Sequence, residues 1–502
     1  MAPFYQNLPF FSIVACMLTG IFTSLVHDGK RAFHIHCTLL CIVAAAQSYV
    51  LSQVLRSKLS FDYQVGIIGH PWGNELRVGP LEATLALTFT LVMLLCVLGG
   101  WEDLQHDVHP DKLSLYFVMC DLMLASLMAL VYTNDLFTAY VFIEINTIAS
   151  CALVMAKDNG LTIAATMRYM VMSLLASGLF LFGLSLLYWI TGQLLIPNIR
   201  EAIGTLYATG AYAIPLTLIL GMMMMGLSVK SALYPFHTWL PDAHGSATTA
   251  SSAILSGLVL KGYIVLIIKI IYQVVTPEIF NALHLNTVFL VLGVLAMIMG
   301  SLNAIMETHV KRMIAYSSVA QIGYIFLGLG LGTTGALLAA VYQILVHAFT
   351  KPLLFCCAGE LASANWHHKH LYYLRGAAHN APLAGVGFTL GGLSMVGVPL
   401  LGGFAVKFFL ADAALAGSWQ LVTALGALAA SSVLNAVYYI PVIVNIWSKD
   451  LHGDPDPLPG LRRKPVQPAF ALSACALGTM AVALGVCVGP VTDVLALGIQ
   501  LL

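Results

Sequence analysis

Runs of about twenty apolar residues recur along almost the whole chain of 502 residues. That repetition limits the fold more than any other feature, because a helix of this length crosses the ~30 Å hydrocarbon layer of a membrane. The runs do not alternate polar and apolar residues as membrane β-strands do. The chain is therefore expected to be an all-α integral membrane protein. Only 9% of its residues are charged and 59% are hydrophobic, with a mean hydropathy of +0.89, which excludes a soluble enzyme fold and a disordered chain. Lysine plus arginine and aspartate plus glutamate are 22 each, leaving no basic surplus for nucleic acid.

Hydropathy places about fourteen spans, the first near 8–27 and the last near 468–488. Met1 to Phe11 lacks the basic segment of a cleavable leader, so the first span is expected to be retained. Phe61 to Pro80 is too polar to cross and is expected to form an external hairpin around Pro71-Trp72-Gly73-Asn74. Lys449 to Pro468, with Arg462-Arg463-Lys464, reads as an internal loop. The connections that hold Lys30, Arg31, Lys112, Lys157, Arg168, Lys311, Arg312 and Arg462 are far richer in lysine and arginine than the opposite set. Both termini are therefore expected on the non-cytoplasmic side of the cell (inner) membrane.

Two spans are expected to be discontinuous. One runs from Leu227 through Tyr234-Pro235 to Trp239, and the other carries Gly397-Val398-Pro399 and Gly402-Gly403 in mid-span. Broken helices at matching places in two halves point to an inverted-repeat transporter and its ion path.

A charge at the bilayer centre costs about 2.5 to 3.5 kcal/mol on the insertion scale, yet Lys230, Lys261, Lys351, Lys407, Asp121, Glu144 and His347 all fall at or near mid-membrane depth. Glu144 is an available counter-ion for a buried lysine. Asp121 is either a further proton site or a hydrogen-bonded structural acid, and Lys351 either belongs with the other lysines or snorkels from a helix end. The ten cysteines lie mostly inside apolar runs and form no CxxC pair, and no dinucleotide fingerprint, P-loop or haem motif is present. No cofactor, metal site or redox centre is expected in this chain.

Several motifs resemble the antiporter-like membrane subunits shared by respiratory complex I, Mrp-type sodium/proton antiporters and membrane-bound hydrogenases. Lys230-Ser-Ala-Leu-Tyr-Pro-Phe-His237-Thr-Trp-Leu-Pro-Asp242-Ala-His244 is similar to that family's broken seventh helix, and Ser252 to Lys261 to its eighth. His309-Val-Lys311-Arg312 opens a segment like its tenth helix, His347-Ala-Phe-Thr-Lys351-Pro is like its eleventh, and Gly397 to Lys407 like its broken twelfth. The resemblance covers roughly residues 60 to 450 and leans to the Mrp D-type and hydrogenase-type subunits through the hairpin that begins at Gly69.

The resemblance implies fourteen helices with two inverted five-helix repeats. Residues 1–111 would hold helices one to three, 112–275 the first repeat, 286–448 the second, and 449–502 the internal loop and last helix. It implies proton translocation through two half-channels joined by a buried axis. Glu144 and Lys230 would form an ion pair, Lys261 the next relay site, His347 the central link and Lys407 the terminal lysine, with His237, Asp242 and His244 at the cytoplasmic mouth. Leu255 and Gln343 stand where many members carry histidine. The Lys230 to Lys261 connection would then need water or the Ser251, Ser252 and Ser256 hydroxyls. The implied partners are other membrane subunits of an Mrp-type, complex I-like or hydrogenase complex, which would supply redox chemistry or sodium exchange. A sodium site in this chain would have to be built from Thr249, Ser251, Ser252 and Ser256. The alternative function is a structural, sealing subunit of such a complex with no proton path of its own.

Overall fold

The computed structural model describes residues 4–66, 74–210, 212–415, 419–448 and 465–502. Among the described residues thirteen helices are long and apolar enough to cross a membrane, and the broken α12 adds a fourteenth apolar element: α1 (Leu8–Ser24), α2 (Gly29–Ser57), α3 (Pro80–Gly99), α4 (Pro110–Tyr132), α5 (Leu136–Val154), α6 (Gly160–Thr191), α7 (Ala213–Lys230, then Trp239–Ser246), α8 (Thr249–Val275), α9 (Leu285–Met306), α10 (Val310–Leu331), α11 (Thr334–Ala364), α12 (Pro382–Val396, then Gly402–Ala414), α13 (Trp419–Trp447) and α14 (Pro468–Val486). Local chemistry sets several starts. Asp135 accepts from the Thr138 amide to cap α5, Asn159 and Thr162 form a reciprocal box at α6, and Thr248 and Thr333 cap α8 and α11.

Burial ranks the spans. The apolar window of α8 is wholly enclosed and those of α10 and α11 nearly so, whereas α1 and α2 are mostly open to their surroundings. The centre of the molecule is therefore α8, α10 and α11, and it is there that a polar side chain is cut off from water and lipid alike. α9 and α10 approach backbone to backbone. A Cβ at Gly293 would come 2.6 Å from the Leu327 nitrogen, and one at Gly300 2.7 Å from the Ala320 nitrogen, the small-residue contact that lets membrane helices pack without a hydrophobic driving force.

Both expected breaks are present. α7 ends at Lys230, turns through Ala232 at φ 55° and restarts at Trp239, whose indole donates to the Val229 carbonyl at 3.2 Å and stacks on Tyr169. α12 breaks at Gly397, whose φ of 91° suits a residue without a Cβ; a Cβ there would also lie 2.8 Å from the Lys407 side chain. α8 contains π-helical turns at Leu255–Val259 and Ile270–Val275, and such widened turns free backbone carbonyls. The expected hairpin forms as an antiparallel pair, Phe61–Val65 with Asn74–Val78. Pro71-Trp72-Gly73 and most of the 449–468 loop fall outside the described residues.

Candidate functional site

Lys230 closes the first half of α7 and is 1% exposed, at a carbonyl-rich helix end that favours a cation. Its ammonium donates to the Thr147 hydroxyl of α5 at 2.7 Å and lies over the Tyr263 ring of α8, 5.4 Å from the centroid. Glu144, one turn before Thr147, acts on Lys230 through charge. Among the described residues no ion-pair contact joins the two, so the expected pair stands open, with Thr147 in the carboxylate's place. The half-buried Glu144 keeps its Oε1 without a hydrogen-bond partner.

From Lys230 the polar line continues through Tyr263, whose hydroxyl donates to Asn146 at 2.9 Å; Asn146 in turn donates to Ser126 at 2.9 Å. Among the described residues no hydrogen bond carries this line on from Ser126, which donates to the Met123 carbonyl, to Lys261. The serines expected to help are mostly turned elsewhere. Ser251 donates to the Leu153 carbonyl and Ser252 to the carbonyls of His244 and Thr248. Thr249 donates to Asp103, so the hydroxyls proposed for a sodium site do not share one centre. Ser256 alone takes part: its hydroxyl pairs with Ser318 at 2.9 Å and its carbonyl accepts from the Lys261 ammonium. The π turn supplies that carbonyl.

Lys261 and His347 are both fully buried, and the ammonium also meets His347 Nδ1. His347 Nε2, Thr350 Oγ1 and both ring nitrogens of His244 are buried without a partner. His244 was expected at the mouth. It is instead fully buried, stacked on Phe355 with centroids 4.7 Å apart and within charge range of Lys311, Lys351 and Lys261. Residues two apart on a helix point to opposite sides, so the second half of α7 turns Asp242 outward and His244 inward.

Lys351 is fully buried, which rules out snorkelling. It donates to the Ile314 carbonyl at 3.0 Å and the Ser317 hydroxyl at 2.5 Å. Ser317 pairs with Tyr439 at 2.7 Å, Tyr438 donates to Asn435 at 2.7 Å, and Asn435 donates to the Met395 carbonyl at 3.2 Å. That carbonyl also accepts from Lys407 at 3.4 Å. Lys407 donates in addition to the Val396 carbonyl and lies over the Tyr324 ring. The last carbonyls of the first half of α12 thus hold Lys407. Gln343 bonds Gln321 at 2.7 Å where the resemblance led one to look for histidine.

Asp242 is clamped by Arg168 at 2.5 Å and Arg312 at 2.6 Å, and Arg312 also meets Glu307 at 3.0 Å. Arg168, Asp242 and Arg312 rim a cleft of about 320 Å³ that His309 also lines. Burial, with Lys311 and Lys369 adding like charge, pushes His309 down to about 4, so this imidazole stays neutral at the rim. His237 is 5% exposed and stacks on Tyr234. Lys269 is buried and caps α4 by donating to the carbonyls of Val131 and Thr133.

Asp121 does not join this row. It pairs with His36 of α2 at 2.6 Å. No charge marks Thr147, Tyr263, Asn435 or Tyr438 in the sequence, and neutral polar residues are common in membrane helices. His36 was findable, because it shares the α2 face that buries Phe33, Leu40 and Val43.

A family model described as "NADH:quinone oxidoreductase/Mrp antiporter, TM" matches residues 133–433. The NADH-quinone oxidoreductase subunit N of Desulforudis audaxviator is 33% identical over 431 residues, covering 85% of this chain and 82% of that protein. Among solved structures, a chain of the Mrp complex from Dietzia sp. superposes with a TM-score of 0.86 at 22% identity, covering 100% of this chain and 97% of that one. A chain of the membrane-bound sulfane sulfur reductase, an archaeal respiratory membrane complex, superposes with a TM-score of 0.85 at 24% identity, covering 99% and 97%.

Proposed function

Because the chain belongs to the NADH:quinone oxidoreductase/Mrp antiporter transmembrane family, we propose that it carries protons along the row Glu144, Lys230, Lys261, His347, Lys351 and Lys407. The observation that supports this most is the row itself: Lys230, Lys261, His347 and Lys351 are buried and Lys407 partly so, the lysines held by hydroxyl, carbonyl or imidazole groups, with unpartnered buried atoms on Glu144, His244, His347 and Thr350. Buried polar atoms in a packed protein are nearly always satisfied, and a string of exceptions beside ionisable groups is where water would complete a proton wire.

Lysine suits the task because burial and a nearby carboxylate act on its proton in opposite senses. With Glu144 out of contact, Lys230 is in the open state of a switch; moving the ammonium from Thr147 to the carboxylate one turn away would close it. A membrane potential is worth ~2.3 kcal/mol per charge per 100 mV, and one pKa unit is ~1.36 kcal/mol. Making or breaking one such pair is thus on the scale needed to move a proton against a gradient. Asp242 stands at the cleft that would feed the row, and the Arg168 and Arg312 clamp on it would have to loosen for a proton to pass.

The chain would work inside a multi-subunit membrane complex, with redox chemistry or sodium exchange in its partners and both termini on the non-cytoplasmic side. The test is a Lys261→Ala variant in the complex purified with its partners and placed in lipid vesicles. Loss of proton pumping with all subunits retained is expected; pumping at the parent rate would remove the assignment. Iron and nickel measured on the same preparation decide between a redox-driven complex and a secondary antiporter.

A further inference from the structure

Away from the lysine row, α1, α2 and α4 enclose a second ionisable pair. His36 Nδ1 meets Asp121 Oδ1 at 2.6 Å with both side chains wholly buried. The titratable neighbours within charge range are thiols, Cys16 on α1, Cys37 on α2 and Cys120 on α4. Among the described residues no lysine, arginine or second carboxylate makes an ion pair with it. The pair is therefore electrically self-contained. With one proton shared between them, aspartate and histidine are neutral overall, either as a neutral acid and base or as a carboxylate with an imidazolium. Removing that proton leaves a lone buried carboxylate, and adding one leaves a lone imidazolium, each at the cost of an unpaired charge in the membrane.

A purely structural pair would satisfy its remaining polar atoms. This one is open at both ends: His36 Nε2 and Asp121 Oδ2 are buried and have no partner. The backbone of α1 passes close to the acid, since a Cβ on Gly20 would lie 3.6 Å from the Asp121 Cβ. One turn further along α1, Thr23 is fully buried with its hydroxyl unpartnered, while its carbonyl accepts from Ser114 at 2.6 Å. This leads toward the α1–α2 turn that carries Asp28, Lys30 and Arg31. In the other direction the polar groups are closed among themselves: Gln47 donates to Ser12 at 3.0 Å and accepts from Tyr132 at 2.5 Å.

We propose that His36 and Asp121 form a proton-binding site of their own, separate from the lysine row, holding one proton between them and exchanging it by way of Thr23 with the α1–α2 face. It is a dead-end site. Protons enter and leave it by the same face, its proton content following the pH there, and none crosses to the Gln47 side.

The test is infrared difference spectroscopy on the full chain in lipid, stepping the pH in water and in deuterium oxide. A carboxyl and imidazole signal is expected that follows the pH step, shifts on deuteration and is lost in Asp121→Asn and in His36→Gln. It should persist in Lys261→Ala, which separates this site from the row. A parent spectrum indistinguishable from Asp121→Asn at every pH would overturn the proposal. Thr23→Val, which leaves the pair intact, should keep the signal's size and slow its exchange about tenfold, the effect of removing one hydrogen-bonding step. Unchanged exchange would overturn the proposed route.

Discussion

Lys230 and Lys407 both sit at a broken helix, but the two halves of the molecule hold them by different means. Lys230 rests on a side-chain hydroxyl, Thr147, with the Glu144 carboxylate one turn away and out of contact. Lys407 rests on backbone carbonyls at the end of the first half of α12, and among the described residues no acid makes an ion pair with it. A side-chain partner can rotate away, whereas the carbonyls of a helix end are fixed and carry its dipole. The first half is thus built to change a lysine's environment and the second to hold one steady. An acid is needed only where the environment must change.

That contrast can be broken most severely at Glu144. Glu144→Gln removes the only acid of the row, and a fall in pumping of about a hundredfold is expected, the scale of losing ~2.7 kcal/mol at ~1.36 kcal/mol per decade. No carboxylate of the second half should give a comparable loss, which a scan of Asp412→Asn and Glu307→Gln in the same vesicles checks. Thr147→Val removes the side-chain hydrogen bond to Lys230. Bonds to charged groups are worth ~1.5–3 kcal/mol, so a drop of at least about tenfold is expected, with Thr147→Ser restoring the rate. Failure of the serine variant to rescue would mean that Thr147 acts through packing.

Asn435→Leu should cost less, about tenfold or under, by cutting the side-chain link to the Met395 carbonyl while leaving both carbonyl contacts of Lys407 in place. The smallest effect is expected outside the membrane, at His309. Its folded value of about 4 lies below the ordinary 6.5, so between these values the unfolded chain binds the extra proton and stability falls as pH falls. His309→Gln should flatten that loss in thermal melts between pH 6.5 and 4, and melts that superpose on the parent's would refute the placement.

The spans were legible because apolar runs of membrane length have few alternative folds, and the breaks were legible because proline after Tyr234 and glycine at 397 cannot continue a helix. The lysines announced themselves by their cost. What the sequence did not carry was rotation. Whether Glu144 touches Lys230 depends on how α5 is turned about its axis, and Thr147, three residues on, won the contact. His244 went inward rather than to the cleft because a two-turn helix places alternate residues on opposite faces, and nothing in its neighbours' composition fixes which face is which. Lys351 looked able to snorkel, but it finds the Ile314 carbonyl and the Ser317 hydroxyl inside the bundle instead.

The central claim is that one row, fed from the first half and emptied from the second, carries the proton. The most direct measurement is proton pumping by the assembled complex in sealed vesicles for Lys230→Ala and Lys407→Ala side by side, with subunit content verified in each. Equal and near-complete loss in both is predicted, since interrupting a single path at either end stops it. Pumping that survives either substitution in a fully assembled complex would contradict the account and leave the chain a sealing subunit.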